Sequence, residues 1–438
     1  MDSKNIRPAA DASALLPIVV FLVFYLGAGI WYEYIAPVEG RMGFYVMSVV
    51  VAFGLALIVA FIQNSHRSFL ENIHLCAESI GNDNITIMLF IFLMAGAFGG
   101  IAKAAGGVES TAHLLLNLIP GSFAIPGLFV IACLISMSMG TSCGTITVLV
   151  PIAASVAQDA GLSLPFAVGS VVGGSMFGDN LSFISDTTIA ATRTQGAQMK
   201  DKFYANLKVA VPAAVLTLIL LLGLSMSGSH VDLGTFDYSL LLALPYFIVL
   251  IMALRGMNVF FVLGTGILLF FVLGIAAGPM TIPDAFSAMG AGTSGMFETM
   301  IVTILAASIS AIIRDGGGFE AILTFIRTYF KGQRGGSFGI SLLTILMDIA
   351  TANNTVAIVV AGPIAKTISE EYGIEPRESA SLLDTCSCIA QGIIPYGAQL
   401  LIASALAGIA SLAIIPYLFY PFFLAACVIV SIMLSAKK

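Results

Sequence analysis

Charge is what this sequence has least of. Only 10% of its 438 residues are Asp, Glu, Lys or Arg, against about 25% in a soluble globular chain. Eighteen basic and 24 acidic side chains cannot cover a soluble surface of this size. A soluble enzyme, a nucleic-acid binder and a disordered scaffold are therefore excluded. Histidine is scarce too, with four in the chain, and none pairs with a cysteine at zinc spacing. The six cysteines form no C-x-x-C pair and lie mostly in apolar stretches, which weighs against both a metal cluster and a disulfide framework. Gly316–Gly318 is followed by no G-K-[ST], so ATP-driven transport is disfavoured.

What is present is apolar: 58% of the chain. Segments near the ~20-residue bilayer span recur at 13–34, 43–63, 84–106, 121–158, 163–196, 206–227, 238–254, 257–278, 297–314, 336–372, 377–408 and 411–435. No small-residue cleavage site follows the first, which reads as a retained helix with Trp31, Tyr32 and Tyr34 at the interface. The chain is an all-α, multi-pass protein of the cell membrane. Four segments are interrupted. As one helix, 121–158 would run about 57 Å against a ~30 Å hydrocarbon core. Its small polar middle, Gly140–Thr145, and the matching Thr351–Thr355 of 336–372 predict two re-entrant hairpins. Segments 163–196 and 377–408, broken at Gly178–Ser182 and Gln391–Gly397, predict crossings made of two half-helices.

The interruptions belong to a repeat. A shift of 212 residues lays Gly140–Leu162 on Ala352–Ile374, matching Pro151/Pro363, Ile152/Ile364 and Ala153/Ala365, and it superposes the two later breaks. The expected units are 1–227 and 238–438, each of about five crossings plus one hairpin. With both termini cytoplasmic, every Lys and Arg except Arg41 and Lys103 falls on the cytoplasmic side, as the positive-inside rule requires. An odd number of crossings per unit inverts the second relative to the first. Paired full crossings in place of each hairpin would give the same parity. The linkers 64–83 and 319–334 read as amphipathic surface helices.

Ionisable residues deep in apolar segments are few, and each is costly enough to imply a partner, water or an ion. Asp179 and Asp186 are seven apart with Ser182 between them, one helical face. With unwinding near Gly178 and Asn180 they offer carboxylate, hydroxyl, amide and carbonyl oxygens to a hard cation such as Na+. Asp186 could instead cap the second half-helix. Thr141, Ser142 and Thr145 at the first tip would join the cation site. Asn353, Asn354 and Thr355 at the second tip, with Asp384 and Pro395 at the second break, would serve a substrate or second ion. Asp384 reads equally as a proton carrier or as the partner of a backbone group, and Asp348 could pair with the second tip. No Lys or Arg stands at the breaks, which disfavours a dicarboxylate. Gly169, Gly173, Gly174 and Gly178 suit close helix packing.

The stretches Gly140-Thr141-Ser142-Cys143-Gly144-Thr145 and Gly178-Asp179-Asn180-Leu181-Ser182-Phe183-Ile184-Ser185-Asp186-Thr187-Thr188 resemble G-T-S-x-G-T and G-D-x-x-S-P-[IL]-S-D-T-T of the NhaC family of Na+/H+ antiporters. Phe183 stands where that family usually has Pro. The resemblance implies sodium coupling, inverted repeats with opposed hairpins, elevator-like alternating access and a homodimer. The expected activity is Na+/H+ antiport, with Na+-coupled transport of an amino acid or small organic acid as the alternative. The expected partners are Na+, H+ or a small organic solute, and lipid. No catalytic residue and no cofactor beyond Na+ as coupling ion are expected.

Overall fold

The computed structural model describes residues 9–38, 43, 46–118, 123–159, 162–225, 236–255, 257–277, 280–351, 353–395 and 397–435. The 228–235 part of the loop between the units, Ala352, Tyr396, Lys4, Arg7, Arg41, Lys437 and Lys438 lie outside these residues. Every regular element among them is helical. The first half contributes α1 (Leu16–Ile30), α2 (Val49–Gln63), α3 (Phe69–Ile80), α4 (Asp83–Ala104), α5 (Gly107–Leu116), α6 (Ala124–Met139), α7 (Ser142–Asp159), α8 (Leu164–Leu181), α9 (Asp186–Gln195) and α10 (Met199–Ser225). The second contributes α11 (Leu240–Leu254), α12 (Val259–Ala276), α13 (Ile282–Gly295), α14 (Phe297–Asp315), α15 (Gly318–Tyr329), α16 (Gly332–Thr351), α17 (Asn354–Tyr372), α18 (Pro376–Ile393), α19 (Ala398–Ala407), α20 (Ser411–Ile414) and α21 (Phe419–Ser435).

Six helical stretches are long and apolar enough to cross a membrane, with a seventh if α20 and α21, bent by 55°, count together. The helices α6 and α7 are among the shorter apolar ones. Element boundaries recur at one spacing. The first residues of α7 and α17, the last turns of α8 and α18 and the starts of α9 and α19 all stand 212 apart. So do two left-handed caps, Gly196 (φ 71°) and Gly408 (φ 66°), while Gly106 (φ 75°) and Gly317 (φ 83°) stand 211 apart. A glycine in that region ends one helix and redirects the chain without steric cost.

Both linker helices form. A capping box starts α3, with Glu71 Oε2 accepting from the Ser68 amide at 2.7 Å. An unexpected helix, α13, fills 282–295, between two expected segments. It lies against α4 because Gly96, Gly100 and Gly292 let the two backbones touch: a Cβ on Gly96 would come within 2.6 Å of the Gly292 carbonyl. The glycines of α8 work the same way against α6. A Cβ on Gly178 would run into the Cys133 carbonyl, and one on Gly174 into that of Phe129. Close approach of these backbones carries α8 through the centre of the protein. Every residue from Ala167 to Asn180 but Phe177 is buried.

Candidate functional site

The two breaks are shorter than the sequence suggests and begin later. The helix α8 continues through Gly178, Asp179 and Asn180 to Leu181, and only Ser182–Ser185 is unwound. Likewise Gln391 and Gly392 are helical, and the second break is 394–397. Asp179 and Asn180 therefore sit on a last helical turn, and Asp179, Ser182 and Asp186 share no continuous helical face. The chain leaves α8 at Ser182 (ψ 140°) and re-enters a helix after Ser185 (ψ 146°). Phe183, in between, is buried and stacked on Phe203 of α10, with ring centroids 4.6 Å apart.

A helix that ends inside the protein leaves carbonyls to satisfy. The Asp179 carbonyl accepts from the Ser182 amide at 3.1 Å and from Ser185 Oγ at 3.2 Å. The Asn180 carbonyl accepts from Lys202 Nζ at 2.9 Å and Asn206 Nδ2 at 2.7 Å, both reaching in from α10. Lys202 also donates to Thr188 Oγ1 at 2.6 Å and pairs with Asp384 Oδ2 at 2.6 Å, and both charged side chains are 1% exposed. The charge placement above put Lys202 on the aqueous side and no cation at the breaks. That is corrected: its backbone lies in the first turn of α10, but its four-carbon stem carries the ammonium into the protein. Asp384 is thereby a partner of Lys202 and Asn206. The Asn180 side chain donates through Nδ2 to Tyr420 Oη at 2.9 Å and Cys388 Sγ at 3.3 Å.

Asp179 has a different environment. Its Oδ2 accepts from Ser142 Oγ, at the first hairpin tip, at 2.9 Å, and Gln399 of α19 donates to that same Oγ at 3.2 Å. Its Oδ1 is buried and unpartnered among the described residues, as is Gln399 Oε1. Asp186 is half-buried at the first position of α9. Its Oδ2 accepts from Thr355 Oγ1 of the second tip at 2.8 Å, and its Oδ1 from the Thr187 amide at 3.0 Å. Ser185, not Asp186, caps α9, accepting from the Thr188 amide at 3.1 Å. The dipoles separate the two carboxylates. Asp179 stands at the negative end of α8, which favours a cation, whereas Asp186 lies at the positive ends of α9 and α17, which already stabilise its charge.

Other expected ligands hydrogen-bond to backbone. Ser182 Oγ donates to the Met137 carbonyl at 2.9 Å, and Thr145 Oγ1 to that of Thr141 at 2.9 Å. Thr141 Oγ1 accepts from the Gly144 amide at 3.3 Å. Asn353 caps α17 through the Val356 amide at 3.1 Å, and Asn354 Oδ1 accepts from Thr355 N at 3.1 Å. Pro395 is half-buried in the second break. Asp348 accepts from Gln391 Nε2 at 3.2 Å rather than from the tip, and its other oxygen is buried and unpartnered. Gln391, Gln399, Asn206 and Lys202 escaped the sequence reading. The signal was available for the last two, four apart and thus on one face of an apolar helix. Among the described residues no three His, Cys, Asp or Glu side chains gather as a metal cluster.

A cavity of about 760 Å³ runs beside α9 and α17, whose N-terminal ends meet at the Asp186–Thr355 contact. Its lining includes Arg193, Arg314 and Lys366 against Glu78, Asp315 and Glu370. Asp315 is already held by Arg67 at 2.6 and 2.8 Å, and Arg193 Nε is buried without a partner among the described residues.

The chain matches the model of the Na+/H+ antiporter family over residues 4–226 and 232–437. It is 19% identical over 450 residues to the malate-2H+/Na+-lactate antiporter of Bacillus subtilis, covering 96% of this chain and 93% of that one. It is 22% identical over 365 residues to the Na+/H+ antiporter NhaC of Alkalihalophilus pseudofirmus, covering 76% and 79%. The YdaH transporter of Alcanivorax borkumensis has the same fold, with a TM-score of 0.64 at 12% identity over 96% of this chain and 98% of that one.

Proposed function

The chain belongs to the Na+/H+ antiporter family, and from that premise we propose that it exchanges Na+ for protons, with Asp179 as the carboxylate both cations use in turn. The observation that carries this reading is Asp179 Oδ1, a buried carboxylate oxygen without a partner among the described residues, at the end of a helix and with the Ser142 hydroxyl on its sister oxygen. A bare carboxylate there is costly. Either a proton or a dehydrated Na+ removes the cost, and the two exclude each other. Sodium would take Asp179 Oδ1, Ser142 Oγ and Gln399 Oε1, oxygens from α8, the first tip and α19.

The recurrent boundaries and the basic cytoplasmic bias support two inverted units. Tips and breaks moving together against the remaining helices would expose the site to either side. A second reading, coupled transport of a small organic acid, draws on Arg193, Arg314 and Lys366 in the cavity, and on the printed activity of the malate-2H+/Na+-lactate antiporter.

Purified protein in liposomes tests both. An imposed Na+ gradient should move protons with no organic solute present, and Asp179→Asn should abolish this while the protein stays folded. Losing the charge should cost several kcal/mol, roughly a hundredfold or more in Na+ affinity. Wild-type activity in Asp179→Asn would sink this assignment. Proton movement only when malate or lactate is added would favour the second reading.

A further inference from the structure

The groups around the Lys202 ammonium are those of an alkali-cation cage. They comprise a carbonyl at a helix C-terminus (Asn180, 2.9 Å), a hydroxyl (Thr188 Oγ1, 2.6 Å) and a carboxylate (Asp384 Oδ2, 2.6 Å). Hard cations take such oxygens, and half-helix carbonyl ends offer them inside membranes. Two more oxygens of the same cluster, Asp384 Oδ1 and Asn206 Oδ1, are buried and unpartnered among the described residues. The amide of Asn206 binds both Asn180 O and Asp384 Oδ2 at 2.7 Å, so those two oxygens are tied to one another independently of Lys202. An ordinary ion pair needs only the carboxylate. Here the ammonium is met by three oxygens from α8, α9 and α18, while its own stem comes from a fourth helix, α10.

We propose that this cluster is a monovalent-cation site, separate from the Asp179 pocket, and that its resident cation is the protein's own Lys202 side chain. The ammonium is tethered and never transported, so it holds the place a second sodium ion would take and leaves the mobile ion to the Asp179 pocket. The proposal rests on the antiport reading only for the identity of the mobile ion. It predicts that removing the ammonium, without altering the cage, creates Na+ binding that the Asp179 pocket does not supply.

The full-length protein is purified as Asp179→Asn, as Asp179→Asn/Lys202→Met, and as that double variant with Asp384→Asn added. The readouts are equilibrium binding of radioactive Na+ and the Tm in NaCl against N-methylglucamine chloride. Asp179→Asn should bind no Na+. Adding Lys202→Met should restore saturable binding of one Na+ per chain and a Tm that climbs with NaCl by a few degrees, since a ligand of the native state alone stabilises it. Adding Asp384→Asn should remove both effects. A Lys202→Met double variant as indifferent to NaCl as its parent overturns the proposal. So does one that can be purified, even in NaCl, only after Asp384→Asn is added, because sodium would then have failed to replace the ammonium. If Asp179→Asn itself still binds Na+, the Asp179 assignment fails. The increment made by Lys202→Met then decides the present proposal on its own.

Discussion

Two carboxylates seven residues apart are placed by the fold in opposite electrostatic settings. Asp179 faces the carbonyl end of α8, and Asp186 the amide ends of α9 and α17. The end of α8 favours a cation beside the first, and the amide ends favour negative charge on the second, which accepts from Thr355 at the second tip. Thr355→Val, close to isosteric, removes the hydroxyl that donates to Asp186 Oδ2 at 2.8 Å. A hydrogen bond to a charged group is worth about 1.5–3 kcal/mol, so the Na+ concentration for half-maximal transport should rise roughly tenfold or more. Thr147→Val, whose hydroxyl only returns to the Cys143 carbonyl of its own helix at 2.8 Å, should leave it unchanged. Equal effects of the two variants would show the tip contact to be incidental. Asp384→Asn is expected to act through stability instead. It leaves the Lys202 ammonium buried without its counter-charge, a loss of about 3–5 kcal/mol, to be read as a lower Tm in detergent.

At the scale of the element, the interruptions were legible and their limits were not. Gly178, Asp179 and Asn180 look like helix breakers, yet α8 continues through them, because the Asn180 side-chain amide and one Asp179 carboxylate oxygen find partners on other helices, while Asp179 Oδ1 has none among the described residues. Asn180 has Tyr420 and Cys388, and Asp179 has Ser142. Those partners lie 37 to 240 residues away and cannot be read locally. The same holds for α13, whose Gly- and Ser-rich sequence is a poor isolated helix and is ordered by the glycine contact with α4. Close packing is also testable. Gly178→Ala places a methyl group against the Cys133 carbonyl, Ser136 and Met137, and should destabilise the protein by about 1–3 kcal/mol. Gly27→Ala, in α1 with nothing within 4 Å of the added carbon, should be neutral or slightly stabilising. Matching Tm values for the two would mean that α8 and α6 can separate at no cost.

For the whole molecule, the inverted arrangement makes a plain prediction. Single cysteines in a background lacking the native ones, introduced at the exposed positions Lys200 and Asp237, should be labelled from opposite sides of the membrane by an impermeant thiol reagent, Lys200→Cys from the cytoplasm. Labelling of both from one side would show that α10 does not cross the membrane and would remove the inverted arrangement. The bias of Lys and Arg predicts this orientation from sequence, but the same bias concealed Lys202. Charge counting assigns a residue to the side where its backbone lies and cannot see which way a flexible stem turns.

The Lys202–Asp384 pair also has a schedule. Asp384 lies 178 residues beyond Asn206, and still further beyond Lys202. At ~5–20 residues per second, the ribosome needs about 10–40 s to deliver it after α10 has begun to emerge. Until then the nascent first half carries an ammonium group whose counter-charge has not been synthesised, and the cheapest place for it is the aqueous boundary. Its contact with Asp384 Oδ2 at 2.6 Å can form only once α18 is in place, so completion of the second half would be registered by a charge that changes surroundings. A chain that stops short of Asp384 never makes that change, and a protease that surveys the membrane would meet it still holding its lysine in water.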